Sequence, residues 1–261
     1  MQLFFREKGN PDLPPLILLH GLWGASENWL TVAGHLATQY HVILPDLRNH
    51  GLSPHSDIHN YTALAEDLED FITQLNLPLR PFIAGHSMGG KALMALLLKR
   101  PEIARKAAII DICPKTYSSR PDHIHEPLIT FINRFPLSSY TSREEIHTLI
   151  REHLQAEELR QILFKNLRKG NNSFTWKLNT AAISAHLPEL MSWPCQLSGQ
   201  TYPSPILFIR GQHSDYITPA DLPVIHTYFP AARLTTIPHA SHRIHADTPF
   251  ALAQTLAGFF I

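Results

Sequence analysis

The chain is predicted to fold as an α/β domain, with a mostly parallel central sheet covered by helices on both faces. Three observations predict it. Strand-like and helix-like patterns alternate from the first residues onward, which is the signature of parallel strands joined by crossover helices. A short apolar run, Pro81-Phe82-Ile83-Ala84, leads into Gly85-His86-Ser87-Met88-Gly89-Gly90, and a strong helix former follows as far as Pro101. Between Cys113 and Pro203 the alternation gives way to helical patterns, as it would in a helical cap inserted over the end of the sheet where catalytic loops lie.

The elements follow in order. Gln2–Arg6 reads as a short strand and Pro15–Leu19 as a buried one running into His20-Gly21. Ser26 is the expected N-cap of a helix reaching Leu36, with Trp29, Val32, Ala33 and Leu36 on one face. His41–Leu44 is the next strand and ends at Asp46. Leu64, Leu68, Phe71, Ile72 and Leu75 recur at helical spacing within Thr62–Leu75. After the strand and helix flanking Ser87, a further strand, Ala107–Ile110, ends at Asp111. Helices are expected near Pro127–Phe135, Arg143–Gln155, Glu157–Lys169 and Thr180–Met191, with no long alternating strand between them. Strands return at Ile206–Ile209 and Leu234–Ile237, and a helix over Phe250–Phe260 closes the chain. The expected division is 1–114 and 204–261 for the core and 115–203 for the cap.

Lys+Arg and Asp+Glu balance at 22 each, so no nucleic-acid footprint or polybasic membrane surface is expected. The longest apolar run, Ala92–Leu98, lies between lysines and is far too short to span a bilayer. The N-terminus turns charged too early for a secretory signal, and a cytoplasmic location is expected. Two cysteines, Cys113 and Cys195, exclude a disulfide-rich scaffold. They fall near the two stems of the insertion, where a disulfide would tether the cap. His123 and His125, in its first loop, read as solvated surface.

The segment around Ser87 resembles the nucleophile elbow of α/β-hydrolases: strand, G-x-S-x-G, helix. Side chains two residues to either side of so sharp a turn would collide with the neighbouring strand and helix. Gly85 and Gly89 remove them. Acyl transfer then needs a base, an acid to orient it and donors for an oxyanion. The base candidate is His242, directly after the last strand pattern, with Ser241 where many such enzymes have Gly; His239 and His245 are its rivals. Their spacing also suggests a metal, but metal histidines usually come with a carboxylate or a second cluster and this loop already has a role, so no metal or cofactor is expected. Asp111 is favoured as the acid. Asp215 stays the alternative, one residue later than the usual position after the penultimate strand, where this chain has Ser214. The backbone N–H groups of Leu22 and Met88 are the oxyanion candidates, and His20 and His86 are expected to brace these loops. Arg48, Asn49 and His50 are expected to hold a structural loop near the site entrance. Phe131, Phe135, Phe164, Leu167 and Trp176 either line an acyl pocket or, preferably, form the cap's own core.

A narrower resemblance is to the YbfF-like esterases and their mitochondrial relatives. It rests on Leu19-His20-Gly21-Leu22-Trp23-Gly24, on Arg48-Asn49-His50-Gly51-Leu52-Ser53-Pro54, on Gly85-His86-Ser87-Met88-Gly89-Gly90-Lys91, on Ile110-Asp111-Ile112-Cys113-Pro114 and on Ser241-His242-Arg243-Ile244-His245-Ala246. Cys113 departs from the Ser of that family's phrase. The resemblance implies Asp111 as the acid. It also implies hydrolysis of small-molecule carboxylic esters, thioesters included, through an acyl-enzyme on Ser87 without metal or cofactor. The alternatives are a triad-bearing lyase of the menaquinone-pathway type and a non-catalytic binding protein on the same fold. Arginines of the insertion facing the site (Arg134, Arg151, Arg160, Arg168) would favour the lyase and its carboxylated substrate.

Overall fold

A computed structural model describes residues 1–117, 124–170 and 173–261, so His123 lies outside the described residues. The core strands are β1 (Phe5–Lys8), β2 (Pro15–Leu19), β3 (His41–Pro45), β4 (Phe82–His86) and β5 (Lys106–Ile110). Between them run α1 (Leu30–Leu36), α2 (Tyr61–Gln74) and α3 (Met88–Lys99). The stretch after β5 holds α4 (His125–Arg134), α5 (Arg143–His153), α6 (Glu157–Asn166), the strands β6 (Leu167–Lys169) and β7 (Phe174–Trp176), and α7 (Thr180–Met191). The core resumes with β8 (Ile206–Gly211), α8 (Leu222–Tyr228), β9 (Ala232–Ile237), α9 (Ile244–Asp247) and α10 (Pro249–Phe260).

The seven core strands lie in the order β1-β3-β2-β4-β5-β8-β9, all neighbours parallel except β1 with β3. The strand pleat explains the two cores. Along β2, Leu16 and Leu18 point into one layer with Trp29, Val32 and Leu36 before and within α1 and Leu252, Leu256 and Phe260 of α10. Ile17 and Leu19 point into the other, against α2, α3 and α8. With both faces covered, every residue of β2, β3 and β4 is buried, which is why these strands read as unbroken apolar runs. From β2 the chain steps outward to β3 and then back across to β4. That reversal opens a crevice at the carboxyl ends of the strands, the usual ligand position in such sheets.

The predicted fold class therefore holds, with corrections in detail. β1 begins at Phe5, because Leu3 is instead buried in the core and Phe4 gives its carbonyl to Asp46 N–H. Ser26 is not an N-cap: Ala25 is, and Ser26 opens a 3-10 turn (Ser26–Trp29) that precedes α1. The Ser26 N–H donates to Asp46 Oδ1 at 2.6 Å, while its hydroxyl accepts from Arg6 Nε. Within the insertion α6 stops at Asn166, and the antiparallel hairpin β6–β7 replaces its expected last turn. Cys113 is buried just beyond β5 and Cys195 is exposed; both are free thiols, the default for two cysteines, and the alternative of a disulfide tether between the stems does not form.

The inserted segment has its own apolar cluster, built on Leu128, Phe131, Ile146, Ile150, Leu163, Leu167 and Phe174. The core enters that cluster through Trp23, from the loop after β2, which is 4% exposed. Its indole Nε1 donates to His125 Nδ1 at 2.7 Å and its carbonyl accepts from Asn166 Nδ2 at 2.8 Å. His125 is thus half-buried and stacked along Trp23 instead of solvated, because α4 begins there and lays the ring on the indole. Asn179 N–H donates to Asn49 O, and Tyr61 hydroxyl to Leu190 O, tying the far end of the segment down.

Buried neutral histidines brace the loops. His20 accepts from Leu47 N–H at Nε2 and donates from Nδ1 to Gly21 O; His50 accepts from Trp23 N–H and donates to Arg48 O. His86 Nε2 donates to His242 O at 2.8 Å. Each ring joins a carbonyl to another loop or turn, and burial pushes all three below the usual imidazole range. His59, fully buried beside His50, is driven down to about 3, again by burial. Arg48 donates to Asp67 Oδ2 at 2.6 Å and to Ile58 O, and Asn49 accepts from Ser56 N–H, so this loop is held as expected.

Two stability predictions arise here. Folded-state pKa values below the unfolded 6.5 mean that the unfolded chain binds more protons in acid. The contribution of these histidines is complete above pH 6.5 and is lost as the pH falls below it, for His59 down to about 3. Urea denaturation is expected to lose stability from pH 6.5 to about 5 at up to about 1.4 kcal/mol per pH unit for each such histidine, and a flat profile would contradict this. A Cβ at Gly89 would stand 2.5 Å from His20 O and 2.9 Å from Leu19 Cβ. Gly89→Ala is therefore expected to lower unfolding free energy by about 1–3 kcal/mol, read as a shifted urea midpoint.

Candidate active site

Ser87 sits between β4 and α3 with φ 52° and ψ −119°, a left-handed backbone that an L-residue holds only under constraint. The constraint is visible in the neighbours. A Cβ on Gly85 would meet Gly89 O at 2.5 Å, and the Ser87 N–H is taken by Ile110 O at 3.0 Å. The turn stands the hydroxyl above the strand ends, at the head of a helix twelve residues long.

His242 follows β9, in the loop before α9. Its Nε2 lies 3.1 Å from Ser87 Oγ and its Nδ1 lies 2.8 Å from Asp111 Oδ2. The Tyr216 ring stacks on the imidazole at a centroid distance of 3.7 Å and 15°, and His86 flanks it at 4.8 Å. Its carbonyl is the one held by His86 Nε2. The ring is therefore fixed at both nitrogens, on its face and through its own backbone.

Asp111 directly follows β5 with φ 52° and is completely buried. Its carboxyl meets three donors: Gly211 N–H on Oδ1 at 3.0 Å, and the Ser214 hydroxyl and His242 Nδ1 on Oδ2. A buried carboxyl without such donors would be heavily penalised. Asp215, the alternative acid, is exposed, and the Nδ1 of His242 is occupied by Asp111. Ser214, which stands where the penultimate strand would mount an acid, donates to Asp111 instead.

The rivals of His242 diverge from it. His239 has φ 59° and is exposed, its N–H donating to Gln212 Oε1. His245 turns inward against Trp29 and His86, and burial takes it down to about 3. The three rings do not converge.

Two clefts meet at Ser87. The larger, about 110 Å³, runs along His20–Gly24, His242, Arg243 and His245 and is roofed by Glu158, Gln161, Ile162 and Lys165 of α6. The smaller, about 30 Å³, lies over Met88 and Lys91 and is bounded by Leu22, Tyr61, Tyr117 and Tyr216. Among the described residues neither Leu22 N–H nor Met88 N–H has a protein acceptor. Phe131, Phe135, Phe164, Leu167 and Trp176 line neither cleft; they pack in the segment's own core. The α6 lining was invisible to sequence reasoning, since Glu158, Gln161 and Lys165 carry no pattern beyond that of a solvated helix face. Arg134, Arg151, Arg160 and Arg168 also line neither cleft. Arg160 pairs with Glu157, and Arg134 and Arg151 lie over Phe135 and Phe164.

Comparisons with known proteins agree with this architecture. A marine microorganism esterase of known structure superposes with a TM-score of 0.91 at 38% identity, covering 99% of both chains. The sn-1-specific diacylglycerol lipase ABHD11 of Danio rerio is 34% identical over 256 residues, 96% of this chain and 80% of that protein. Esterase YbfF of Escherichia coli (strain K12) is 33% identical over 242 residues, covering 93% of this chain and 91% of its own. Residues 16–255 match the alpha/beta hydrolase family. On its strand order, its strained serine turn and these relationships, the chain belongs to the alpha/beta hydrolase family.

Proposed function

We propose that this protein is a serine carboxylesterase that hydrolyses small-molecule acyl esters, thioesters among them, through an acyl-enzyme on Ser87. One observation carries the reading: the unbroken hydrogen-bonded line from Ser87 Oγ through His242 to the buried Asp111 carboxyl, at 3.1 and 2.8 Å. Relatives named as an esterase and a diacylglycerol lipase support the reaction class.

The chemistry follows from the geometry. His242 Nε2 takes the Ser87 proton as Oγ attacks the acyl carbonyl. Asp111 accepts from Nδ1–H, selects that tautomer and stabilises the imidazolium. The N–H groups of Leu22 and Met88 receive the oxyanion, and one such preorganised donor is worth about 3–4 kcal/mol. His242 then protonates the leaving alcohol and later activates water. The leaving group must lie beside His242, which lines the larger cleft and not the smaller one. The alcohol therefore occupies the larger cleft and the acyl group the smaller. The segment 115–203 acts as a cap on the core of 1–114 and 204–261, its α6 closing the alcohol side. The elimination reading asked for arginines of the cap facing the site; Arg134, Arg151, Arg160 and Arg168 line neither cleft, and the arginine that borders the larger one, Arg243, belongs to the core.

p-Nitrophenyl acetate, butyrate and longer esters test this directly. Wild type is expected to give a burst and turnover, Ser87→Ala to lose about 10⁶-fold in kcat, and Asp111→Asn about 10⁴-fold. Asp215→Asn is expected to remain near wild type. A reversed order of the two aspartates would move the acid to Asp215, and well-folded wild type without ester turnover would sink the hydrolase reading.

A further inference from the structure

We propose that Tyr216 is a positioning residue for the general base, its ring face lying flat on the His242 imidazole and stabilising the imidazolium that forms when Ser87 gives up its proton. The inference rests on the ester-hydrolase reading and adds a residue to its machinery.

The contact is close and flat. The two ring centroids are 3.7 Å apart and the planes lie 15° from parallel, which leaves almost no lateral offset. Two neutral aromatic rings prefer an offset or edge-on arrangement, with centroids about 4.5–7 Å apart. A cation over a ring face is the case that favours direct overlap, because the face carries the negative side of the ring's quadrupole. The geometry therefore suits the charged imidazole better than the neutral one.

Tyr216 is held in place through its backbone. Its N–H donates to Ser214 Oγ at 3.3 Å, and its carbonyl accepts from the Tyr117 hydroxyl at 2.7 Å. Ser214 in turn donates to the Asp111 carboxyl, and the next residue, Ile217, is fully buried. A closed circuit results, from Asp111 through Ser214 and Tyr216 to His242 and back to Asp111. One serine hydroxyl thus sets both the acid and the aromatic face against the same imidazole.

The other groups facing His242 come from several elements. His86 of β4 flanks it at 4.8 Å, and His245 of α9 stands behind His86; burial keeps both rings neutral. Asp111 bonds its Nδ1. Arg243, the next residue in the chain, pairs with Glu158 of α6 at 3.9 Å, while Lys165 of α6 and His125 of α4 line the same cleft. Asp247 accepts from the Ser241 hydroxyl and N–H. Replacing Tyr216 removes none of these, so a change in the titration of His242 reports the ring. Leucine at 216 keeps apolar cover over the imidazole and removes the π face, whereas phenylalanine keeps the face and removes the hydroxyl.

The test reads the apparent pKa of His242 twice. One reading is the acid limb of kcat/KM for p-nitrophenyl acetate. The other is the His242 ring resonance followed by NMR and identified by its absence from His242→Gln. Tyr216→Leu is expected to lower the pKa by about 0.5–1 pH unit and kcat/KM on the alkaline plateau by about 3- to 10-fold. Tyr216→Phe is expected to keep the wild-type pKa. An unchanged pKa in Tyr216→Leu, or an equal drop in Tyr216→Phe, overturns the proposal. Phenylalanines of increasing ring fluorination incorporated at 216 keep the shape and weaken the face, so they decide the matter even if Tyr216→Leu does not fold. A stepwise fall in pKa is expected, and the absence of a trend overturns the proposal. If wild type hydrolyses no ester, the esterase reading falls, while the NMR titration of the same series still decides whether the ring favours the imidazolium.

Discussion

The close approach at the Ser87 turn is the constraint on which the rest of this molecule depends. A residue at φ 52° is tolerable only where its surroundings over-determine it. Here the carbonyl of Gly89 lies where a side chain at Gly85 would be, and the β2 end at Leu19 and His20 lies where one at Gly89 would be. β2, β4 and the head of α3 are thereby held in direct backbone contact. The serine N–H is anchored to β5 through Ile110. Every other group at the site is placed relative to these four elements.

Polar groups at the strand ends are kept there by matching donors to acceptors. Asp111 is sealed from solvent and meets a backbone N–H, a hydroxyl and an imidazole N–H. The loops around it are braced by His20, His50 and His86, which in neutral form carry a donor and an acceptor on opposite sides of one rigid ring. A lysine or carboxylate in those positions would bring a charge that the interior would have to offset. Lys91 is the exception: two carbonyls and two aromatic faces answer it, and among the described residues no carboxylate does.

The inserted segment is joined to the core by hydrogen bonds and ion pairs along its length, from Lys115 with Asp221 through Asn166 with Trp23 to Lys177 with Glu27 and Ser192 with Lys91. Trp23 enters its apolar cluster while the neighbouring Leu22 and Gly24 border the site. The segment is thus tied to the loop carrying the Leu22 N–H through the Trp23 indole and carbonyl. The division into a large cleft beside His242 and a small one over Lys91 arises from this arrangement, with α6 above one and the tyrosines around the other.

Local chemistry by itself determined a good deal. The alternation of apolar strands with amphipathic helices specified the layered sheet, because a strand buried on both faces must read as an unbroken apolar run. The glycines around Ser87 specified the sharp turn, since only their missing side chains permit it. Tertiary structure decided what depends on direction and distance. Asp111 and Asp215 are equally acidic in sequence, and only the geometry of β5 against the loop before Tyr216 turned the first toward His242 and left the second exposed. Cys113 and Cys195, near in sequence to the two stems, part because one follows β5 into the core and the other lies on a surface turn. The α6 side chains over the site, the stacking of Tyr216 and the isolation of Lys91 involve residues far apart in the chain. Local periodicity carries no trace of such meetings, because they are fixed by how whole layers pack.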